Sequence, residues 1–367
     1  MQVVLYISLL VVVYTYILYP VILFFLSTTS KKTFIVSPIP QSITVIIPAF
    51  NEVHLIQQKI ENTLAITNGV TTQIVLVSTG STDGTQHYTH PNITHISGPE
   101  RLGKPSAINQ ALLIATGQIV LLTDANTILN VGAIQAVLPL FANATTGAVS
   151  GEKTFNQINK ALLAENIYWS LEAKLKQLEA NYNTVVGAAG ELFVVRRKLL
   201  QPLPANVILD DFYIAMQVIQ QGYTINYTPL AIATEAPSLH LYDEYNRRVR
   251  IASGAMQWLC NYGLVSFFKY PIRVQWQLFS HRICRWVVAP IALLIFTIFC
   301  MLIQPYIYIP IIYFCLAAVG YILQQFNKPT KLFYFPFYFL FIHICMGIGF
   351  VKYSVGKHTI LWKKANR

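Results

Sequence analysis

The feature that most constrains this chain is an N-terminal run without a charged side chain, residues 3–26, with the sequence VVLYISLLVVVYTYILYPVILFFL. As a helix rising about 1.5 Å per residue, the run is longer than a bilayer core of roughly 30 Å is thick. It lacks the basic start and the small-residue cleavage site of a signal peptide, so a membrane-spanning helix is favoured. Lys31 and Lys32 follow it directly, and the positive-inside rule therefore predicts that the next domain is cytoplasmic.

The whole chain is too apolar for a soluble protein of 367 residues. It is 54% hydrophobic and only 11% charged, with a mean hydropathy of +0.49. Three further apolar stretches near the C-terminus, at 287–303, 306–323 and 333–351, are candidates for additional spans. We therefore expect a multi-pass protein of the inner or plasma membrane.

The number of spans is left open by the charges that flank them. Four spans would place both chain ends outside, whereas the basic tail favours the cytoplasm. Either one apolar stretch is only interfacial, or the tail lies on the unfavoured side. The predicted regions are a transmembrane helix at 1–29, a cytoplasmic domain at 30–245, amphipathic or interfacial helices at 246–285, about three transmembrane helices at 286–352 and a basic tail at 353–367.

The chain carries a net charge of +11, from 26 Lys and Arg against 15 Asp and Glu. An excess of this size can indicate nucleic acid as a partner, but here the basic residues cluster beside apolar segments, at 247–250, 269–285 and 352–367. Such clusters are typical of proteins that contact anionic lipid. We expect the lipid bilayer as a partner and no nucleic acid.

The cytoplasmic region has the pattern of one α/β domain. Short β-rich runs alternate with helical patterns, which predicts a mostly parallel sheet with right-handed crossovers. Ligands of such sheets bind beyond the carboxyl ends of the strands. The predicted strands are 43–47, 73–77, 118–122 and 147–149, and the predicted helices begin at Val53 or cover 105–115 and 158–179.

The loops after these strands carry polar residues suited to a phosphorylated ligand. Asn51 can cap the helix that follows the first strand, and Asp83 accepts hydrogen bonds in a glycine-containing loop, although both are also ordinary turn residues. Lys104 opens a helix, where it makes either a phosphate site or a solvated lysine. Asp124 and Asn126 offer oxygen ligands that suit Mg²⁺ or Mn²⁺ on a diphosphate, with an Asx turn as the alternative.

Taken together and in order, these motifs resemble the membrane-bound family 2 glycosyltransferases, inverting enzymes related to the polysaccharide synthases. The resemblance covers roughly residues 43–290 and implies a cytoplasmic catalytic domain of the Rossmann-like GT-A fold flanked by transmembrane helices. It rests on VIIPAFNE (45–52), VSTGSTDGT (77–85), RLGKPSAIN (101–109), LLTDAN (121–126), VGAAGELFVVRR (186–197), LDDFYIAMQVIQQGY (209–223), RRVRIASG (247–254) and SHRICRWVVAP (280–290).

The resemblance implies a role for each matching position. Asp124 and Asn126 stand where the family's Asp-x-Asp motif holds a divalent metal, and Asp211 matches the acid that acts as the base, with Asp210 beside it. Arg247 and Arg250 could stabilise the leaving diphosphate. The implied nucleotide-sugar residues are Pro48, Ala49, Glu52, Thr79, Ser81, Asp83, Arg101, Lys104, Asp124 and Gly190.

Alternatives remain for the charged groups. Asp210 and Asp211 could merely complement the dipole of a helix N-terminus, and the arginines at 247–250 could lie on lipid as part of a basic amphipathic helix. As the base, Asp211 has to accept the proton of the acceptor hydroxyl, and the neighbouring carboxylate of Asp210 favours a raised pKa for it.

Three departures from the family pattern bear on specificity. Thr79 replaces the usual aspartate that contacts the nucleotide base, which weakens the expectation of a UDP-sugar donor. Asn126 removes one negative charge from the metal motif, which weakens metal binding unless another carboxylate helps. Ile251 stands where processive members carry a tryptophan, so an aromatic platform for the acceptor sugar is missing.

We therefore expect an inverting hexosyltransferase that moves one sugar from a nucleotide-diphosphate sugar to a lipid-linked or glycan acceptor at the membrane, in cell-surface polysaccharide or glycolipid synthesis. One alternative is a processive or short-oligomer polysaccharide synthase. The other is a non-catalytic glycosyltransferase-like subunit of a membrane polysaccharide assembly complex.

Overall fold

The computed structural model describes residues 1–30, 32–156, 163–236, 240–326 and 330–357, together with Thr359. The chain divides into two compact units. We call them the helical unit (Met1–Thr29, Gln157–Leu175 and Pro237–Arg367) and the sheet unit (Ser30–Asn156 and Lys176–Ala236).

The sheet unit contains one mixed sheet, in which eight strands lie in the order β3-β2-β1-β4-β7-β6-β8-β5 among the described residues. The strands from β3 to β4 are mutually parallel, whereas β7 runs antiparallel to β4 and β6. This mostly parallel, Rossmann-like arrangement confirms the predicted fold class. The strands are β1 Ser42–Ala49, β2 Thr71–Thr79, β3 Thr94–Gly98, β4 Ile119–Leu122, β5 Thr127–Leu129, β6 Thr146–Phe155, β7 Phe193–Arg196 and β8 Thr224–Glu235.

The helices lie between the strands of the sheet unit and in the apolar stretches of the helical unit. The predicted helix at 158–179 is observed from Leu163, and residues 158–162 lie outside the described residues. The helices are α1 Gln2–Thr29, α2 Val53–Ile66, α3 Lys104–Ile114, α4 Ala133–Val137, α5 Leu163–Tyr182, α6 Asp210–Gln220, α7 Leu241–Trp258, α8 Ile272–Leu302, α9 Tyr308–Gln325 and α10 Lys331–Ser354.

The core of the sheet unit positions the strand ends. Strand β1 is covered on both faces and is therefore almost continuously apolar, with Ile43, Val45 and Ile47 buried together with Ile56 and Ile60 of α2. It pairs in register with β2 up to the Ala49–Ser78 pair. The carboxyl ends of the central parallel strands therefore meet at one edge of the sheet, where the polar loops begin.

The helical unit contains four helices that are long and apolar enough to cross a membrane, counted over the described residues: Gln2–Thr29, Ile272–Leu302, Tyr308–Gln325 and Leu332–Ser354. The second begins well before the predicted apolar stretch at 287–303, so residues 272–285 belong to a continuous long helix. His343 in the last of them shares a 2.8 Å hydrogen bond with the Tyr16 hydroxyl. Its other ring nitrogen lies 2.7 Å from the Phe339 carbonyl oxygen.

Candidate functional site

The loops after β1 and β2 are tied together by hydrogen bonds. The backbone N–H of Asn51 donates to Ser81 Oγ at 3.2 Å, and Asn51 Oδ1 accepts from the Thr82 N–H at 2.8 Å. The Glu52 N–H donates to Thr85 Oγ1 at 2.9 Å. The prediction that Asn51 caps the next helix is wrong, because its side chain is committed to the neighbouring loop and its backbone has φ 55°.

Asp83 provides the cap of α2 from across the two loops. Its Oδ2 accepts the first N–H of the helix, that of Val53, at 3.1 Å. Its Oδ1 accepts from the backbone and hydroxyl of Thr85, at 3.0 and 2.6 Å. Burial raises the pKa of Asp83, but the hydrogen bonds from Thr85 and Val53 outweigh it and lower that pKa. Asp83 thus fixes the shape of the loop that carries Thr79 and Ser81.

Gly80 allows this loop to approach the next one closely. It has φ +70°, and a Cβ at this position would lie 2.6 Å from Arg101 Cβ, so only glycine fits. Its N–H donates to the Gly98 carbonyl at 2.8 Å. The Arg101 guanidinium lies over the Phe50 ring, 3.7 Å from its centroid. Pro48 and Ala49, at the end of β1, pair with Val77 and Ser78, so these predicted nucleotide-sugar residues share one edge of the sheet.

A second group of predicted residues meets around the Lys104 ammonium. Lys104 Nζ lies 2.7 Å from Asp124 Oδ1 and 3.5 Å from Asp210 Oδ2. A Cβ on Gly190 would stand 3.3 Å from Asp211 Oδ2 and 3.4 Å from Lys104 Nζ. Lysine, the three aspartates and the glycine therefore surround one small space, and glycine at 190 keeps that space open.

The environment of Asp211 suits a proton acceptor. Burial and the charge of Asp210 raise the pKa of Asp211 to about 6, against the opposing effect of Lys104. Asp211 Oδ1 accepts the N–H of Phe212 at 2.7 Å. Both acids lie in the first turn of α6, so the dipole interpretation also describes their position, but it does not account for the place of Lys104 beside them.

Sequence reasoning missed a buried charge network next to these residues. Asn126 Nδ2 donates to Glu235 Oε1 at 3.3 Å, and Lys153 forms ion pairs with both Glu235 and Glu191. Lys153 and Glu235 are 7% and 5% exposed, so these charges are removed from solvent and need each other. The sequence feature that could have indicated this network is the position of Lys153, Glu191 and Glu235 beside the apolar runs of β6, β7 and β8.

Lys59 was also missed, although it holds the loop that carries Asp124 and Asn126. It is 0% exposed, and its Nζ donates to Thr123 Oγ1 at 2.8 Å and to the Thr127 carbonyl at 2.7 Å. Burial lowers the pKa of Lys59 to about 7. Its burial could have been predicted from the helical spacing, because Lys59 lies next to Ile60 and one turn from Ile56 and Thr63 on the buried side of α2.

The oxygen atoms in the loop of Asp124 and Asn126 are of the kind that Mg²⁺ or Mn²⁺ binds. The Glu235 carboxylate accepts the amide N–H of Asn126, which leaves Asn126 Oδ1 as a ligand oxygen beside the Asp124 carboxylate. Over the described residues, no group of three or more His, Cys, Asp or Glu side chains is arranged to hold a metal. Mg²⁺ sites with one or two protein ligands are completed by water and substrate phosphates.

The predicted arginines lie on α7 in the helical unit. Arg247 Nη2 is 2.7 Å from Glu244 Oε2. Arg248, which was not singled out, is the buried member of the run, 2.6 Å from Glu244 Oε1 and 3.0 Å from the Tyr338 hydroxyl. Arg250 follows one turn after Arg247 on the same helix. Glu244 thus holds the first turns of this basic helix together within its own unit.

Comparison with known proteins agrees with this geometry. A family model described as glycosyl transferase family 2 matches residues 44–203. A poly-beta-1,6-N-acetyl-D-glucosamine synthase of Staphylococcus aureus is 24% identical over 227 residues, which are 58% of this chain and 54% of the synthase. A dolichyl-phosphate beta-glucosyltransferase of Trichomonas vaginalis is 30% identical over 132 residues, 31% of this chain and 40% of that protein. The matched regions are thus about half, or less, of the relatives' own length.

A solved structure shares the fold over nearly the whole chain. It is the mannosyltransferase PcManGT from Pyrobaculum calidifontis in complex with GDP-Man and Mn²⁺, with a TM-score of 0.73 and 23% identity. The similarity covers 97% of this chain and 100% of that one. The region 44–203, with its ordered strand-end motifs, thus matches the glycosyl transferase family 2 model, and this chain contains a glycosyltransferase domain of that family.

Proposed function

We propose that this protein is an inverting glycosyltransferase that moves a single sugar from a nucleotide-diphosphate sugar to a lipid-linked or glycan acceptor at the membrane. The observation that carries the proposal is the cluster of Lys104, Asp124, Asp210 and Asp211 around the open space at Gly190. This cluster combines a carboxylate of raised pKa with a cation, which are the two groups that sugar transfer from a diphosphate requires.

In this proposal each residue has one task. Asp211 accepts the proton of the acceptor hydroxyl as the oxygen attacks the anomeric carbon, and the bond from that carbon to the diphosphate oxygen breaks. Lys104 places positive charge beside the departing diphosphate. Asp124 and Asn126 would hold Mg²⁺ or Mn²⁺, which when bound neutralises charge on the diphosphate. The loop of Thr79, Ser81 and Arg101 would contact the nucleotide.

The donor base is proposed to be read by Thr79. A neutral hydroxyl can donate and accept, so it does not select uridine as an aspartate would. The structural neighbour that shares the fold was solved with GDP-Man, which supports testing guanosine and uridine donors side by side. UDP-sugars and GDP-sugars are therefore the first two classes of donor to compare.

The acceptor is proposed to be membrane-associated. The described residues contain four helices apolar enough to span a bilayer, and the sheet unit lies between the first and the second of these in sequence. We propose a multi-pass protein of the inner or plasma membrane with its sheet unit in the cytoplasm. A processive synthase is the second candidate, favoured by the similarity to a poly-beta-1,6-N-acetyl-D-glucosamine synthase, while Ile251 in place of tryptophan favours single transfer.

The test uses the purified full chain in detergent with a panel of UDP- and GDP-sugars, Mn²⁺ and membrane lipid extract, and measures released nucleoside diphosphate. We expect release from one donor that increases with lipid and falls by about a hundredfold or more in Asp211→Asn, since an amide keeps the shape of the side chain but cannot accept the proton. The matched control is Asp243→Asn, which changes an acid on α7 outside the cluster. Equal release by wild type and Asp211→Asn would contradict the proposal.

A further inference from the structure

Asn126 stands where the family resemblance implies a second acid. The residues around it explain why an asparagine replaces that acid. Its Nδ2 lies 3.3 Å from Glu235 Oε1, and Glu235 is 5% exposed. A carboxylate only accepts hydrogen bonds, whereas an amide can donate. An aspartate at 126 would bring a second carboxylate into contact with the buried carboxylate of Glu235, and the two would repel, whereas an asparagine forms a hydrogen bond there.

We propose that Asn126 and Glu235 together replace the second acid of the metal motif. Asn126 supplies the ligand oxygen, and Glu235 is a positioning residue that orients the amide and supplies the missing negative charge from directly behind it. This inference rests on the proposed metal-assisted transfer and extends it to a residue that was not assigned to the site.

The register of the sheet makes this arrangement rigid. Glu235 ends β8 and pairs with Thr127 at the start of β5, one residue after Asn126. Glu235 also pairs with Phe155 of β6. The backbone of Glu235 is therefore held in the sheet and that of Asn126 directly precedes a strand of it, so the two side chains have little freedom to exchange partners.

Lys153 forms an ion pair with Glu235 without cancelling its negative charge. Its ammonium contacts both Glu235 and Glu191, so two carboxylates share one cation and the trio retains one negative charge. Burial raises the pKa of Glu191, but the charge of Lys153 outweighs it and lowers that pKa to about 2. Coulomb attraction falls only inversely with distance, so a charge one hydrogen bond behind the ligand oxygen still attracts a divalent cation.

The test is a charge-exchange cycle on the full chain in detergent, with Mn²⁺ alone as the probe. Four proteins are compared by calorimetric titration of Mn²⁺ and by thermal unfolding in EDTA: wild type, Glu235→Gln, Asn126→Asp and the double variant Asn126→Asp/Glu235→Gln. Glutamine at 235 can still accept the Asn126 N–H, so Glu235→Gln removes the charge and preserves the hydrogen bond. Glu61→Gln, which removes an acid on the exposed face of α2, is the matched control.

We expect Glu235→Gln to weaken Mn²⁺ binding by about 10-fold or more, in the range found for residues that orient metal ligands. Asn126→Asp should bind Mn²⁺ more tightly than wild type but unfold at a lower temperature in EDTA, because the two carboxylates then repel. The double variant restores one charge and one hydrogen bond, and both its affinity and its unfolding temperature should return toward wild type.

The inference is overturned if Glu235→Gln binds Mn²⁺ as tightly as Glu61→Gln does, or if the double variant stays as weak as Glu235→Gln. It is also overturned if the wild-type chain binds no Mn²⁺. That result leaves the proposed transfer open, because nucleoside diphosphate release is measured separately and is repeated without added Mn²⁺. Loss of release with intact Mn²⁺ binding would instead contradict the proposed function alone.

Discussion

At the scale of single residues, the site depends on charges placed where water does not neutralise them. Asp211 carries a raised pKa because it is buried beside Asp210, while Lys104 opposes that rise from the other side. Burial lowers the pKa of Lys104, but the neighbouring aspartates outweigh it and raise that pKa. The Asp211 carboxylate and the Lys104 ammonium thus lie close together, and the charge of each changes the pKa of the other.

This arrangement predicts the pH dependence of the reaction. As the proposed base, Asp211 has to be deprotonated, so kcat/KM with the donor found by the panel should fall about tenfold per pH unit below a pH of about 6, the pKa of Asp211. Lys104→Met removes the charge that lowers this pKa and should move the acid limb of the profile to higher pH, whatever the absolute rate. Lys198→Met, which removes an exposed lysine after β7, is the control. An unmoved limb in Lys104→Met would contradict the assignment of Asp211 as the base.

The difference between predicted and missed residues has a physical origin. Asp124, Asp211 and Lys104 stand at strand ends or helix starts, which a local sequence pattern can locate. Lys59 and Glu235 stand within buried faces, where their charge is stabilised by partners far away in sequence, such as Thr127 and Lys153. Periodicity says only that such positions are buried, and it does not identify which distant group compensates the charge.

At the scale of elements, the strand-end loops work as one layer because they are joined to each other. The loop after β1 is bonded to the loop after β2 through Asn51 and Ser81, and that loop in turn contacts the segment before α3 through Gly80 and Gly98. The fold class and the order of these loops were predictable from the alternation of strands and helices. The antiparallel strand β7 and the pairing of β8 with β5 and β6 were not, since they connect segments distant in sequence.

The close approach at Gly80 gives a prediction with an internal control. Gly80→Ala adds a strained φ and a contact with the Arg101 backbone, whereas Gly69→Ala adds a similar strain, at φ +82°, with nothing within 4 Å. Both variants should lose about 1 kcal/mol of stability from the backbone conformation. Gly80→Ala alone should also displace Arg101 and lower the affinity for the nucleoside diphosphate product, as measured by calorimetry. Equal product affinities of the two variants would show that this contact does not shape the site.

At the scale of the whole molecule, the reactivity of the cysteines can distinguish side chains exposed to water from those exposed to lipid. Cys260 is exposed between α7 and α8, and Cys315 is exposed on α9, one of the candidate spans. Cys284, Cys300 and Cys345 are buried and free. An exposed side chain on a spanning helix faces lipid, so the two exposed thiols should differ sharply in their reaction with a charged reagent.

A membrane-impermeant maleimide tests this expectation and the proposed topology together. In inverted vesicles it should label Cys260, and in intact cells it should label none of the five cysteines. Cys315 should stay unlabelled in both and should react only after the membrane is dissolved in denaturant, because lipid covers it. Cys260→Ser serves as the control for the labelled site. Labelling of Cys260 in intact cells would contradict the proposed cytoplasmic location of the sheet unit.

The contacts of Lys59 have an evolutionary consequence. Its ammonium binds the residues on either side of the loop that carries Asp124 and Asn126, namely Thr123 and Thr127, and so fixes the path of that loop from within the core. The shape of the loop is then set by α2 rather than by Asp124 or Asn126. Substitutions at the two proposed ligand positions can therefore accumulate while the loop keeps its path, and the proposed cation preference can change in evolution without a change of fold.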